Sequence, residues 1–399
     1  MNSELIRRVP LLRTHTMILP KKVIVGVGSI GKIGEDAKRL GSKALLVIDP
    51  IVARSDVASN IKSSLEKNGV NFYTFDNVEP EPSVEALNKA INFSKNKDFD
   101  LVIGVGGGST IDIAKATAVM AVSPGKIEDY FGSGKIERRL NLILSPTTAG
   151  TGSEVSAFCI LTYEGEKKII HSPLLLPDVA IVDPLLTATM PRRVTATTGF
   201  DALSHAIESM LSVDSNEFTD TLNLGAIRLI GKYFRVAYHQ GWNIEARKGM
   251  AIAAMIAGLA FTQTGLVIGH GAAMRLGEKM HLPHGETCAL ALPYAMDYNL
   301  PVAAEKIAMV ASALGEDVSG LSKEEAAVKA IQWVKSRAKE FGLKTSLKEY
   351  GVSKDDISNM VEDFLKKSIF EINWNPREIT KESLFNFYEN MWAGITSSS

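Results

Sequence analysis

The pattern of apolar positions changes character once along the chain. In the first half, short continuous apolar runs alternate with segments of helical periodicity. Residues 22–27, 44–48, 72–75, 101–105, 142–144 and 179–182 read as strands. Stretches near 31–40, 52–67, 84–93 and 111–122 carry helical spacing between them. Unbroken apolar strands sit best inside a parallel sheet covered by helices on both faces. A hairpin is expected over 158–170, turning at Glu164-Gly165. From Val194 onward the period is helical, over 200–211, 219–236, 244–262, 323–340 and 356–366. The pattern therefore predicts an α/β N-terminal domain with a mostly parallel Rossmann-like sheet, residues 1–188, and an all-α C-terminal domain, residues 189–399.

Composition narrows this picture. Lys and Arg number 44 against 45 acidic residues, for a net charge of −1. That balance argues against a nucleic-acid partner. The longest apolar stretches, near 250–261 and 288–293, are too short to span a bilayer, so no membrane partner is expected. Arg7, Arg8 and Arg13 are followed by no apolar run of signal-peptide length, and 397–399 reads as a frayed end. The two cysteines, Cys159 and Cys288, make no disulfide framework. A reducing, cytoplasmic setting is the expectation.

Three small-residue loops follow predicted strands. The first, Gly26-Val27-Gly28-Ser29-Ile30-Gly31, has G-x-G-x-x-G spacing. Asp49 lies about twenty residues on, where a carboxylate accepts hydrogen bonds from a ribose diol and repels a 2′-phosphate. A glycine-rich turn and an ordinary strand-end Asp are the competing reading. The second, Gly106-Gly107-Gly108-Ser109, opens a helix. Bare backbone amides and the positive end of the helix dipole would make a pyrophosphate seat there, against the competing reading of a tight strand-to-helix turn with no ligand. Asp112 would face phosphate badly, so it is expected near the nicotinamide ribose or capping the turn. The third loop, 145–154, is rich in hydroxyls, with Thr147, Thr148 and Thr151 suited to nucleotide contacts or, alternatively, to capping a tight loop. No P-loop Gly-Lys-Ser/Thr is present, which favours a dinucleotide over ATP.

Asp201 and His205 are four apart and share a helix face that is otherwise small or apolar. A buried Asp needs a partner, which a metal, an arginine or a helix cap would supply. His270 stands between two glycines, and His284 follows Leu282-Pro283 in what reads as a rigid loop. Together the four would offer one oxygen and three nitrogens, a set suited to a divalent transition metal with an open position. Isolated core or surface histidines are the alternative.

With these segments in view the chain resembles the iron-containing (group III) alcohol dehydrogenases. The resemblance rests on 106–115, 146–154, 198–208 and the run from Ala257 through His270 to Gly285. It implies one ferrous or zinc ion held by Asp201, His205, His270 and His284. It implies NAD, with NADP as the alternative, bound by Asp49, Gly106, Gly107, Gly108, Ser109, Asp112, Thr147, Thr148, Thr151 and Lys168. Phe261 matches a residue on the substrate side of the nicotinamide, and many members are dimers or larger. Phe158 takes a position where several members carry a polar side chain, which suggests an apolar substrate tail. Met274 stands where the family often has a second histidine, and a thioether carries no proton. The expected reaction is reversible hydride transfer between nicotinamide and a small alcohol or carbonyl whose oxygen the metal holds. A polyol dehydrogenase, a dehydroquinate-synthase-like lyase and a nucleotide-binding protein without turnover are the alternatives.

Overall fold

A computed structural model of the chain describes residues 14–397. The expectations placed on Arg7, Arg8, Arg13 and on the final two serines lie outside the described residues. The chain forms two compact units: Ile18–Met190 with Trp242–Gly258, and Pro191–Gly241 with Leu259 onward and the few residues before Ile18.

The first unit holds a six-stranded sheet. Its strands in chain order are β1 (Lys22–Val25), β2 (Lys43–Ile48), β3 (Asn71–Phe75), β4 (Leu101–Gly106), β6 (Asn141–Pro146) and β9 (Val179–Val182). They lie in the order β1-β9-β6-β4-β2-β3, all parallel. Alternate side chains feed two cores, as the period of two requires. Leu45, Val47, Val102, Leu142 and Leu144 join one apolar cluster. Ala44, Leu46, Ile48, Ile103, Val105 and Ile143 join another. Burial on both faces explains why β2, β4 and β6 are almost wholly apolar. A smaller sheet joins β5 (Gly132–Ser133), β8 (Glu166–His171) and β7 (Phe158–Tyr163). Its β7–β8 hairpin turns at Glu164-Gly165, both at positive φ.

The unit's four longer helices are α1 (Ile33–Leu40), α2 (Asp56–Lys67), α3 (Val84–Ser94) and α4 (Gly108–Met120). The helix expected over 52–67 is broken: a 3-10 turn at Val52–Arg54 ends where Ser55 turns extended, at φ −103° and ψ 166°. The strand order reverses between β2 and β4, because the chain leaves β2 toward β3 and leaves β4 toward β6. Ligands of open α/β sheets bind at such a switch point, outside the carboxyl ends of the strands.

The second unit is helical: α5 (Arg192–Leu211), α6 (Glu217–His239), α8 (Ile268–Met280), α9 (His284–Ala313), α10 (Lys323–Glu340), α11 (Ile357–Lys367), α12 (Ile369–Trp374) and α13 (Lys381–Ala393). Helix α7 (Ile244–Thr264) begins in the first unit and ends in the second. Ile268, Ala272, Leu290, Tyr294, Phe364 and Tyr388 belong to the core of the second unit. Pro293 and Pro301 lie inside α9, and Ala303 just beyond them leaves the helical region at φ −135°. No single helix among the described residues is long and apolar enough to cross a membrane.

Candidate metal centre and dinucleotide loops

The helical unit gathers one carboxylate oxygen and three imidazole nitrogens. Asp201 and His205 come from α5, His270 from the first turn of α8, and His284 from the first residue of α9. Asp201 Oδ1 is the hub. It stands 3.6 Å from His205 Nε2, 3.8 Å from His270 Nε2 and 3.7 Å from His284 Nε2. These separations are too long for hydrogen bonds. They lie close to the edge of a coordination tetrahedron, about 3.4 Å for metal–ligand bonds of about 2.1 Å. Asp201 is buried, and its ion-pair partners among the described residues are all histidines. A charge so placed calls for a cation. Asp201, His270 and His284 have donor atoms within 4.8 Å of one another and fit a divalent ion, whereas His205 approaches this group at Asp201 Oδ1 without joining that mutually close set.

Local packing explains the convergence. Gly269 and Gly285 allow helix contacts that no side chain would. A Cβ on Gly269 would stand 2.6 Å from Glu208 Oε1, and one on Gly285 would stand 2.1 Å from the Thr197 carbonyl oxygen. The glycines beside His270 thus serve helix packing: a Cβ on Gly271 would meet the Phe364 ring. Helix α5 is also tied to α9 through Arg193 and Glu286, and Glu286 accepts a hydrogen bond from the Tyr350 hydroxyl. The expectation of a loop at His284 is corrected. Pro283 caps a helix that starts there, so the spacing rules of a helix apply from His284 onward.

Two members of the cluster were not singled out from sequence. Glu208 lies seven residues after Asp201 on α5. Its Oε2 accepts the His270 backbone N–H at 2.9 Å, and its Oε1 lies 3.0 Å from His270 Nδ1. A carboxylate at Nδ1 fixes the ring and leaves Nε2 as the donor atom toward Asp201. The i, i+7 spacing on an apolar face was the available signal. Cys288 lies one turn after His284, a relation visible only once His284 is known to be helical. Its Sγ is 3.7 Å from Asp201 Oδ1, 3.8 Å from His270 Nε2 and 3.5 Å from His284 Nε2. Burial pushes the His270 imidazolium down, but Glu208, Asp201 and Glu371 outweigh it and hold its pKa above the ordinary value. Burial also pushes the Glu371 carboxyl up to about 7.

In the α/β unit, the loops after β2, β4 and β6 meet at the switch point. The Asp49 backbone N–H donates to the Val105 carbonyl oxygen at 2.9 Å, and that of Thr147 donates to Gly106 at 2.9 Å. Asp49 Oδ1 accepts from the Ile51 N–H at 2.8 Å, which orients the carboxylate at the strand end. Gly107 caps α4 with no side-chain hydrogen bond to the first turn. Thr148 and Thr151 lie beside Gly107 and Gly108. Ser109 Oγ accepts from the Glu81 N–H at 3.2 Å. The other glycine cluster is engaged differently. It follows β1, at the sheet edge, and the Gly28 and Ile30 amides both donate to the Asp183 carboxylate at 3.1 Å.

Asp112 lies on α4. It is buried, accepting from Ser153 Oγ at 2.6 Å and from the Ile160 N–H at 3.1 Å. Beside it, Lys115 Nζ donates to Ser153 Oγ, Ser156 O and Phe158 O. Burial pushes the Asp112 carboxyl up and the Lys115 ammonium down, each opposed by the other's charge. This pair ties α4 to the threonine loop and to β7. Glu154 in the same loop is wholly buried, and burial pushes its carboxyl up to about 7. Between its ordinary 4.5 and that value the folded chain keeps a proton that the unfolded chain has released. Stability therefore falls as pH rises through this window, by roughly 3 kcal/mol in all. Glu154→Gln is expected to raise the melting temperature above neutral pH, the gain vanishing as pH falls toward 4.5. A pH-independent difference in melting scans would contradict this.

Residues 20–184 match the family model "Iron-containing alcohol dehydrogenase", and residues 195–392 match "Fe-containing alcohol dehydrogenase family, C-terminal". The chain belongs to the iron-containing alcohol dehydrogenase family. It is 37% identical over 383 residues to "Long-chain-alcohol dehydrogenase 1" of Geobacillus thermodenitrificans, covering 95% of this chain and 97% of that one. Among solved structures, a 1,3-propanediol oxidoreductase superposes with a TM-score of 0.91 at 34% identity, over 95% of this chain and all of the other. A sulfoacetaldehyde reductase of Bifidobacterium kashiwanohense in complex with NAD+ gives 0.85 at 30% identity, over 95% and 99%. The likeness to group III alcohol dehydrogenases read from the sequence therefore holds across both halves.

The remaining candidates of this iron-containing alcohol dehydrogenase divide between the units. Phe261 stacks on His205, ring centroids 4.5 Å apart, and Met274 is buried one turn after His270 on α8. Phe158 lies in the α/β unit on β7, where its ring stacks on His171 at 4.6 Å. Lys168 lies on β8, ion-paired with Glu166 at 2.6 Å. No hydrogen bond or ion pair of Lys168 among the described residues links it to the glycine turn.

Proposed function

We propose that this chain is a metal-dependent, NAD(P)-linked alcohol dehydrogenase that also works as an aldehyde or ketone reductase. The convergence of Asp201 Oδ1 with three imidazole Nε2 atoms carries the reading. When bound, a ferrous or zinc ion supplies Lewis acidity and nicotinamide supplies or takes up hydride. The chain's own residues do the rest. Asp201, His205, His270 and His284 are the ligands. Glu208 holds the Nδ1 proton of His270 and so presents Nε2 to the ion. The amides of Gly107, Gly108 and Ser109 receive pyrophosphate at the start of α4. Thr147, Thr148 and Thr151 supply hydroxyls beside that turn, and Asp49 accepts from the ribose diol, which favours NAD over NADP. Asp112, held by Ser153 and Ile160, and Lys168, on β8, complete the proposed cofactor-binding set. Phe261 walls one face of His205. Met274 cannot relay a proton, so the substrate's proton leaves through water or another group.

The substrate class is a small alcohol or carbonyl. Relatives are named for long-chain alcohols, 1,3-propanediol and sulfoacetaldehyde, so the family does not fix one substrate. Phe158 favours an apolar tail. Both cysteines are buried thiols, which suits a reducing compartment, and we assign the chain to the cytoplasm. Functional domains of 1–188 and 189–399 and a homodimer or larger assembly belong to the same reading. The test is formation of reduced nicotinamide from NAD by protein reloaded with ferrous or zinc ion, across short, long and 1,3-diol alcohols. Protein that holds both metal and NAD yet turns over no alcohol and no aldehyde would overturn the reading.

Glu208→Gln tests the support of His270 separately. The amide cannot hold the Nδ1 proton as strongly, so zinc affinity should fall by about 10–100-fold. Competition against a chromophoric chelator measures this. Unchanged affinity would remove Glu208 from the metal centre.

A further inference from the structure

The metal centre contains a donor outside the one-oxygen, three-nitrogen set. Asp201, His270, His284 and Cys288 each offer a ligand atom, and all four atoms lie within 4.8 Å of one another. The Cys288 sulfur stands 3.5–3.8 Å from the other three donors. A tetrahedral ion with a sulfur bond of about 2.3 Å and nitrogen bonds of about 2.1 Å has sulfur–nitrogen edges of about 3.6 Å. The sulfur is thus spaced as a ligand would be. Cys288 is 2% exposed, so it meets the other donors in the interior. Its place follows from the helix: four residues after His284, it projects from the same face of α9.

We propose that Cys288 coordinates the metal ion of this chain as a thiolate. The inference rests on the reading of Asp201, His270 and His284 as ligands. On binding, the Cys288 S–H bond breaks, its proton passes to water, and a sulfur lone pair forms the bond to the ion. No oxidant takes part. Asp201, His270, His284 and Cys288 would together offer one oxygen, two nitrogens and one sulfur, a complete set for a tetrahedral ion. A thiolate makes the site softer and shifts its preference from ferrous iron toward zinc.

The experiment loads the intact, metal-stripped protein with cobalt(II). Elemental analysis and visible ligand-field bands report whether cobalt is bound. A sulfur-to-cobalt charge-transfer band in the near ultraviolet reports a thiolate ligand. The expected result is a band in the wild type that is retained in Cys159→Ala and lost in Cys288→Ser with cobalt still bound. X-ray absorption of the zinc-loaded wild type, which needs no variant, should show a sulfur scatterer at about 2.3 Å. Bound cobalt without the charge-transfer band, or zinc with only nitrogen and oxygen neighbours, would overturn the role of Cys288 and leave the dehydrogenase reading intact. Failure to bind cobalt at all would overturn both.

Discussion

Asp201→Asn is expected to empty the metal centre and lower alcohol turnover by about a thousand-fold or more. Asp201 Oδ1 is the atom on which all three imidazole Nε2 atoms converge, at 3.6–3.8 Å. The substitution keeps the side chain's size and removes its charge, so the loss falls on the ion. A Lewis acid stabilises developing charge on oxygen by several kcal/mol, and about 4 kcal/mol corresponds to a thousand-fold in rate. The apo fold should survive, because removing a buried carboxylate that lacks its cation relieves a desolvation cost. NAD affinity should stay within a few-fold of wild type, since the glycine turn and the threonine loop belong to the other unit. Three measurements together decide the matter: metal per chain, melting temperature and NAD binding. Full metal occupancy with wild-type turnover in this variant would end the case for Asp201 as a ligand.

The second large effect is expected at Gly107. Its neighbours need to be glycine for reasons internal to the protein. A Cβ on Gly106 would stand 2.5 Å from Thr110, and one on Gly108 would stand 2.7 Å from Thr151. Gly107 has no such constraint. Its backbone, at φ −70° and ψ −178°, suits any residue, and a Cβ would make ordinary contact with Thr148 at 3.6 Å. The chain tolerates a side chain here; a phosphate approaching the amides at the start of α4 would not. Gly107→Val should therefore leave the melting temperature nearly unchanged and weaken NAD binding by about 100-fold, equivalent to about 3 kcal/mol. Valine at this position with wild-type NAD affinity would place the pyrophosphate elsewhere.

Legibility differed between the halves for physical reasons. In the α/β half, β2, β4 and β6 are buried on both faces, and their apolar runs are unmistakable. The β7–β8 hairpin was marked by a local turn. The helix start at His284 was missed because Pro283 precedes it and two further prolines lie inside α9, a pattern that reads as a broken segment. That miss concealed Cys288, whose relation to His284 exists only on a helix. Sequence position shows that the Asp112 carboxylate is near a glycine turn but not which side of the helix it occupies. It is buried against Ser153 and Ile160, contacts that only the folded chain brings together.

The sequence by itself determined the alternation of strands and helices, the order of the glycine and threonine loops, and the pairing of Asp201 with His205. All three depend on neighbours a few residues apart, and periodicity encodes such relations directly. Only the tertiary structure decided that His270 and His284 join that pair, that Glu208 holds the Nδ1 side of His270, and that a thiol stands among the donors. Those meetings depend on how closely α5, α8 and α9 approach. That approach is permitted by the missing side chains at Gly269 and Gly285, and a one-dimensional pattern does not record which surface an absent side chain lets in.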